Sequence, residues 1–138
     1  MKASLKPGLA VRKDIVVDAP RCIGFMGRES AVYATPQMVN DVEYACRNLL
    51  LEHLDEGEDS VGAHVSIDHL APTPLGFAVT IEAKILEVDR RKVVFGFTVR
   101  DLEDVGRGTH VRFVVDTAKT RERLAAKRSK AGNSGSGS

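Results

Sequence analysis

Cysteine is scarce in this chain: Cys22 and Cys46 are the only two. They are too few for a disulfide framework and stand at no metal-ligand spacing. Net charge is nearly absent, at +1, which removes the electrostatic reason to expect nucleic acid or a membrane as the main partner. No apolar run is long enough to span a bilayer. The opening residues, MKASLKPGLAVRKD, lack the apolar stretch of a secretory signal. These absences together lead to the expectation of a reduced, intracellular, cytoplasmic protein that needs no metal or resident cofactor.

What is present suits one globular domain. Of 138 residues, 43% are apolar and 28% charged, enough for a single hydrophobic core. The last eight residues, AGNSGSGS, are small and polar, so residues 1–130 are expected as the domain and 131–138 as a flexible tail. Before them, TAKTRERLAAKRSK reads as a short exposed helix or a frayed one. Its basic residues Arg121, Arg123, Lys127 and Arg128 most simply form a solvated face, with the phosphates of a nucleotide-bearing ligand as the alternative. A strand is expected from Leu9 to Val17, then a loop from Asp18 to about Ala34. Thr35 is placed to cap a helix and Pro36 to open it. That helix should stop near Asp55, before Gly57. Four segments rich in Val, Ile, Phe and Thr follow, at about Ser60–Leu70, Phe77–Val88, Lys92–Leu102 and Gly106–Thr117. The short links between them predict a four-strand antiparallel meander. One strand, one long helix and then a meander is an α+β pattern, with the helix packed on one sheet face.

Two residues break this apolar patterning. In HVSIDHLAPTPLG, counting in twos places Ala63, Val65, Ile67 and His69 on one strand face. His69 therefore ends what should be a core face, whereas Gly62, His64, Ser66 and Asp68 take the other parity. On the helix, with Val39 set at zero, Cys46, Val42, Leu49 and Leu50 form an apolar stripe, and Glu43 falls about 40° round, beside Leu50. A carboxylate there must be bonded, neutralised or able to reach solvent from the stripe's edge. A lone histidine on an apolar face is most often a satisfied core residue. Both together, across one helix–sheet interface, form a general acid/base pair. Thr35 adds a hydroxyl at the helix start, where free backbone N–H groups can meet an oxyanion. The constellation suits acyl transfer. Cys46, on the stripe, reads as a small core residue, His53 as packing, His64 as solvent-facing and His110 as structural.

The stretches YATPQMVNDVEYAC, GEDSVGAHVSIDHLAPTPLGFAVTIEAKI and GRGTHVRFVV resemble the fluoroacetyl-CoA thioesterase family. The resemblance spans roughly Val11 to Lys119 and implies a hot-dog fold, in which a curved antiparallel sheet wraps one long helix. It implies Thr35, Glu43 and His69 as the catalytic group, with Gly62 and Arg112 binding substrate. It also implies a homodimer or higher homo-oligomer with its sites at the subunit interface. The family's lid carries paired phenylalanines, whereas CIGFMGRESAVYATP has Phe25 and Tyr33 and no such pair. A hydrolase of short- or medium-chain acyl-CoA is therefore expected. The rivals are an acyl-thioester hydratase or dehydratase and a non-catalytic acyl-CoA-binding module.

Overall fold

The computed structural model describes residues 1–136. Strand β1 (Ala10–Val16) leads through a 3-10 turn to a two-residue hairpin, β2 (Cys22–Ile23) and β3 (Val32–Tyr33). Helix α1 (Thr35–Leu51) follows, then β4 (Glu58–His69), β5 (Ala78–Asp89), β6 (Lys92–Arg100), β7 (Asp104–Asp116) and helix α2 (Thr117–Ser136). The main sheet is antiparallel in the order β1-β5-β6-β7-β4. The long strands and the helix lie close to their expected limits. The segment expected as one plain loop contains the β2–β3 hairpin.

The expected four-strand meander is not what forms. Strands β5, β6 and β7 do follow one another, but β4 pairs with β7 at the far edge of the sheet. The link from β4 back to β5 carries Thr73 and Pro74, and it is tied down on the way. Tyr33 N–H donates to the Thr73 carbonyl at 2.9 Å, Leu75 N–H to Ala31 at 3.1 Å and Gly76 N–H to Val17 at 2.7 Å. A link held by the segment just before α1 can cross from one sheet edge to the other. A turn of the same length with no such partners would have returned β5 beside β4.

Helix α1 touches both edge strands, β1 and β4. Five strands span about 19 Å between those edges, wider than a helix of about 10–12 Å, so the sheet must curl round the helix. The core lies in that curl. Met38, Val42, Cys46 and Leu50 of α1 meet Ile81, Ile85, Val93, Phe95 and Val99 of the sheet, all fully buried. Each such side chain contributes about 1.5–3 kcal/mol through burial. The helix stripe is therefore centred nearer Val42 than Val39, which is only half-buried.

Thr35 is not the N-cap. Ala34 takes that position in an extended conformation and no side chain caps the helix, so Thr35 begins the first turn with its hydroxyl free for other work. At the other end α1 stops at Leu51, four residues earlier than Asp55, and the chain turns through Gly57 at φ +83°. Helix α2 is longer than the short one expected and is exposed along its described side chains beyond Thr120. It continues into the segment from Ala131 that was expected as a tail. The remainder of that expectation falls on residues 137–138 and on side chains from 133 onward, outside the described residues.

Candidate active site

Helix α1 carries two acids on opposite edges of its apolar stripe, and the fold treats them differently. Asp41, expected outside the stripe, is buried. It takes two bonds from Arg21, Nε to Oδ2 at 2.9 Å and Nη2 to Oδ1 at 3.1 Å, and a short one from the Tyr33 hydroxyl. That triad fastens the β2–β3 hairpin to the helix. Tyr33, one of the two aromatics in the expected lid, is thereby a buried strut, while Phe25 stands 92% exposed at the hairpin tip. Glu43 is half-buried and, among the described residues, makes neither a hydrogen bond nor an ion pair. A carboxylate left without partners beside a cavity is available for chemistry, and Asp41 is not.

The cavity beside Glu43 has a volume of about 500 Å³ and is also bordered by Asn40, Tyr44, Arg47, Gly62 and Arg112. Gly62 explains how these groups fit together. A Cβ built there would lie 3.0 Å from Glu43 Oε1, 3.3 Å from His110 Cε1 and 3.5 Å from Arg112 Nη1. Three polar side chains thus converge on a residue that has none. Gly62→Ala needs no positive φ and is expected to fold, with a small loss of stability from the contact with the His110 ring. It should lose roughly tenfold in kcat/KM by pushing the carboxylate aside, a combination that paired melting and kinetic measurements check.

Arg112 and His110 are buried on β7. Arg112 donates from Nε to Ser60 Oγ at 2.7 Å and from Nη2 to the Ser60 carbonyl at 2.9 Å. Burial holds its pKa below the ordinary guanidinium value, opposed by the nearby Glu43. Arg47, on the cavity rim, is occupied by Asp59 through bonds of 3.0 and 2.7 Å. Cys46 is fully buried and its thiol is pushed up to about 12 by burial, so it packs as expected and supplies no thiolate.

Thr35 and His69 meet at the start of α1. Thr35 Oγ1 lies 2.6 Å from His69 Nδ1, and the buried Nε2 of the same ring has no hydrogen-bond partner. They line a second cavity, of about 340 Å³, with Val32, Tyr33, Leu70 and Pro72. Thr35 and Glu43 are eight residues apart on α1, about 12 Å along its axis. The three expected catalytic residues thus fall into two groups in one chain, Thr35 with His69 and Glu43 with Gly62 and Arg112.

Gly62 and His69 nonetheless share a strand face, contrary to the parity count. The register of β4 on β7 shifts between Gly62 and His64, leaving Ala63 as a bulge. Ser60 and Gly62 before it, and Val65, Ile67 and His69 after it, oppose Val114, Arg112, His110, Gly108 and Gly106. A bulge inserts one residue and inverts the alternation beyond it, so a face read by twos across Ala63 fails. Ser60, His110 and the Arg21–Asp41–Tyr33 triad had no motif to disclose them. The only hint was that His110 and Arg112 share a strand parity.

Burial lowers the pKa of both His69 and His110. The unfolded chain then binds more protons than the folded one below about pH 6.5. Their stabilisation is complete above that pH and is lost as pH falls through the depressed folded values. The melting temperature should drop between pH 7 and pH 5, before the carboxylates with lowered pKa, such as Asp59 and Asp116, begin to titrate. Thermal melts across that range test it.

A five-stranded antiparallel sheet curled round one long helix is the hot-dog architecture of the thioesterase superfamily. A Thermus thermophilus member of that superfamily superimposes with a TM-score of 0.82 at 26% identity, covering 94% of this chain and 98% of that one. The sequence model of a family described as FlK, fluoroacetyl-CoA-specific thioesterase, matches residues 17–118. The fluoroacetyl-CoA thioesterase of Streptantibioticus cattleyicolor is 30% identical over 135 residues, 92% of this chain and 97% of that protein. The crystal structure of the fluoroacetyl-CoA thioesterase FlK gives a TM-score of 0.82 at 29% identity, over 90% of this chain and 98% of that one. A variant of FlK in complex with fluoroacetate and CoA gives 0.76 at 30% identity, over 84% and 99%. The chain belongs to the fluoroacetyl-CoA-specific thioesterase family, a family of thioester hydrolases.

Proposed function

We propose that this protein hydrolyses short- or medium-chain acyl-CoA to the free acid and CoA at a site composed of Thr35, Glu43 and His69. The observation that carries the reading is Glu43, a half-buried carboxylate without bonded partners that faces a cavity beside Arg112. Glu43 attacks the thioester carbonyl or activates the water that does. His69 orients the reacting group through its unpartnered Nε2 and helps the thiolate leave. Thr35 fixes the imidazole through Nδ1 and stands where free N–H groups at the helix start can meet the developing oxyanion. Gly62 admits the acyl group close to the backbone and Arg112 binds its polar end.

The 12 Å between the two groups is bridged by a second copy. Strand β4 lies at the sheet edge with one side unpaired, and such an edge invites another strand. Its inner face is incompletely covered, for Val65 and Ile67 are only half-buried. Antiparallel pairing of two β4 strands about a twofold axis near Val65 and Ser66 sets Gly62 of one copy across from His69 of the other. Glu43 of one subunit then shares a pocket with Thr35 and His69 of the next.

Tyr33 is locked beneath Asp41 and Phe25 is turned out to solvent, so the hairpin supplies no pair of aromatic rings to enclose a very small acyl group. This supports a broader acyl range than fluoroacetyl. The test is thiol release over a panel of acyl-CoA esters of increasing chain length, with fluoroacetyl-CoA included. Release fastest on short and medium chains supports the reading. An enoyl product without free thiol would reassign the protein as a dehydratase, and binding without turnover as a carrier.

A further inference from the structure

The structure assigns His110 a role beyond packing: we propose that it is a positioning residue, whose neutral ring holds the Arg112 guanidinium on Ser60 and away from Glu43. The inference rests on the reading of Glu43 as the reacting carboxylate.

The argument begins with the tautomer. His110 Nδ1 lies 2.8 Å from the backbone carbonyl of His64. A carbonyl only accepts, so Nδ1 carries the proton. His110 Nε2 lies 3.2 Å from Arg112 Nη1. A guanidinium only donates, so Nε2 presents its lone pair. One protonation state satisfies both contacts: neutral imidazole with hydrogen on Nδ1. The ring is fully buried and stacks on Phe95, with centroids 6.4 Å apart and planes 28° from parallel, so it cannot turn aside.

That lone pair has a consequence at Glu43. Ser60 and His110 together take three donors of Arg112. Glu43 Oε1 and Arg112 Nη1 both border the missing Cβ of Gly62, yet they form no ion pair. An arginine that lost the His110 acceptor would find Glu43 as the nearest alternative. A carboxylate clamped by a guanidinium is a poor base and a poor nucleophile. His110 therefore preserves the reactivity of Glu43 through Arg112, without itself touching the acyl group.

The charged and titratable groups around the ring all belong to this arrangement. Arg112 flanks it on β7, Glu43, Cys46 and Arg47 face the guanidinium from α1, and Asp59 and His64 lie on β4. Protonation of His110 would set an N–H against the N–H of Arg112 and add a second buried positive charge. Burial and the Arg112 charge both oppose it.

Two substitutions separate the functions of the two nitrogens. His110→Gln places an acceptor near the Nε2 position, whereas His110→Asn keeps a donor for the His64 carbonyl and offers Arg112 nothing. The glutamine variant should keep kcat within about threefold of the parent, and the asparagine variant should lose about 30-fold in kcat with little change in KM. In an Arg112→Met background His110→Asn should cost nothing further, because its effect passes through the arginine. Equal rates for Gln and Asn, or the same loss with and without Arg112, would overturn the proposal. In the unmodified protein, ¹⁵N NMR of labelled histidine should show His110 protonated at Nδ1 and unprotonated at Nε2 throughout the active pH range. Any other tautomer, or an imidazolium, overturns it irrespective of how the variants fold. If Glu43→Gln retains full activity, the catalytic reading fails instead, and the tautomer result stands apart from it.

Discussion

Glu43→Gln should abolish thiol release, lowering kcat by about 10³-fold or more while KM moves only a few-fold. The amide preserves the shape of the side chain and removes its charge, basicity and nucleophilicity. Because Glu43 has no hydrogen bond or ion pair to lose among the described residues, the substitution breaks nothing that holds the fold together. The melting temperature should stay within about 2 °C of the parent. The same change at Asp41 supplies the contrast. There the carboxylate accepts from Arg21 and Tyr33, so Asp41→Asn should lower stability clearly. Comparing the two acids by calorimetry and turnover separates a residue kept for chemistry from one kept for architecture. Full activity in Glu43→Gln would discard the site.

The second large effect is a recovery. Glu43→Gln and His69→Ala should each be nearly inactive as pure oligomers. Unfolded together, refolded and assayed, an equal mixture should regain about a quarter of the parent activity. In a site composed from two subunits, half of the randomly formed dimers are mixed, and each mixed dimer has one pocket with both defects and one with neither. If Glu43 and His69 of a single chain served one site, every pocket in the mixture would carry a defect. No recovery would then be seen. The separation of Thr35 and His69 from Glu43 within the chain is what makes recovery the expected result.

The long strands and the helix were legible because Val, Ile, Phe and Thr at two-residue spacing, and an apolar stripe at helical spacing, are local signals. Glu43 and His69 were legible as violations of those signals. The crossing of β4 to the far edge was not, because hydrogen bonds from Tyr33, Leu75 and Gly76 decide it, and they join segments distant in sequence. Asp41 was misplaced for a related reason: its partners Arg21 and Tyr33 come from a hairpin that the sequence suggested only as a loop. Thr35 fitted the capping pattern, yet its hydroxyl is drawn to His69 across the turn. Local pattern located the candidate side chains, and tertiary bonding determined which of them meet.

The Ala63 bulge also governs how β4 tolerates change in length. Deleting Ala63 itself would leave Gly62–Arg112 and His64–Val111 as consecutive pairs and keep both ends on one face, whereas a single-residue deletion between His64 and His69 would rotate one end of the strand by 180°. Either the glycine end or the imidazole end would then point to solvent, leaving every residue type in place and dismantling the pocket. The irregularity is a phase shifter between two stretches of ordinary pleat, and insertions or deletions between His64 and His69 should be far more damaging than loss of Ala63 or substitutions on the outer face.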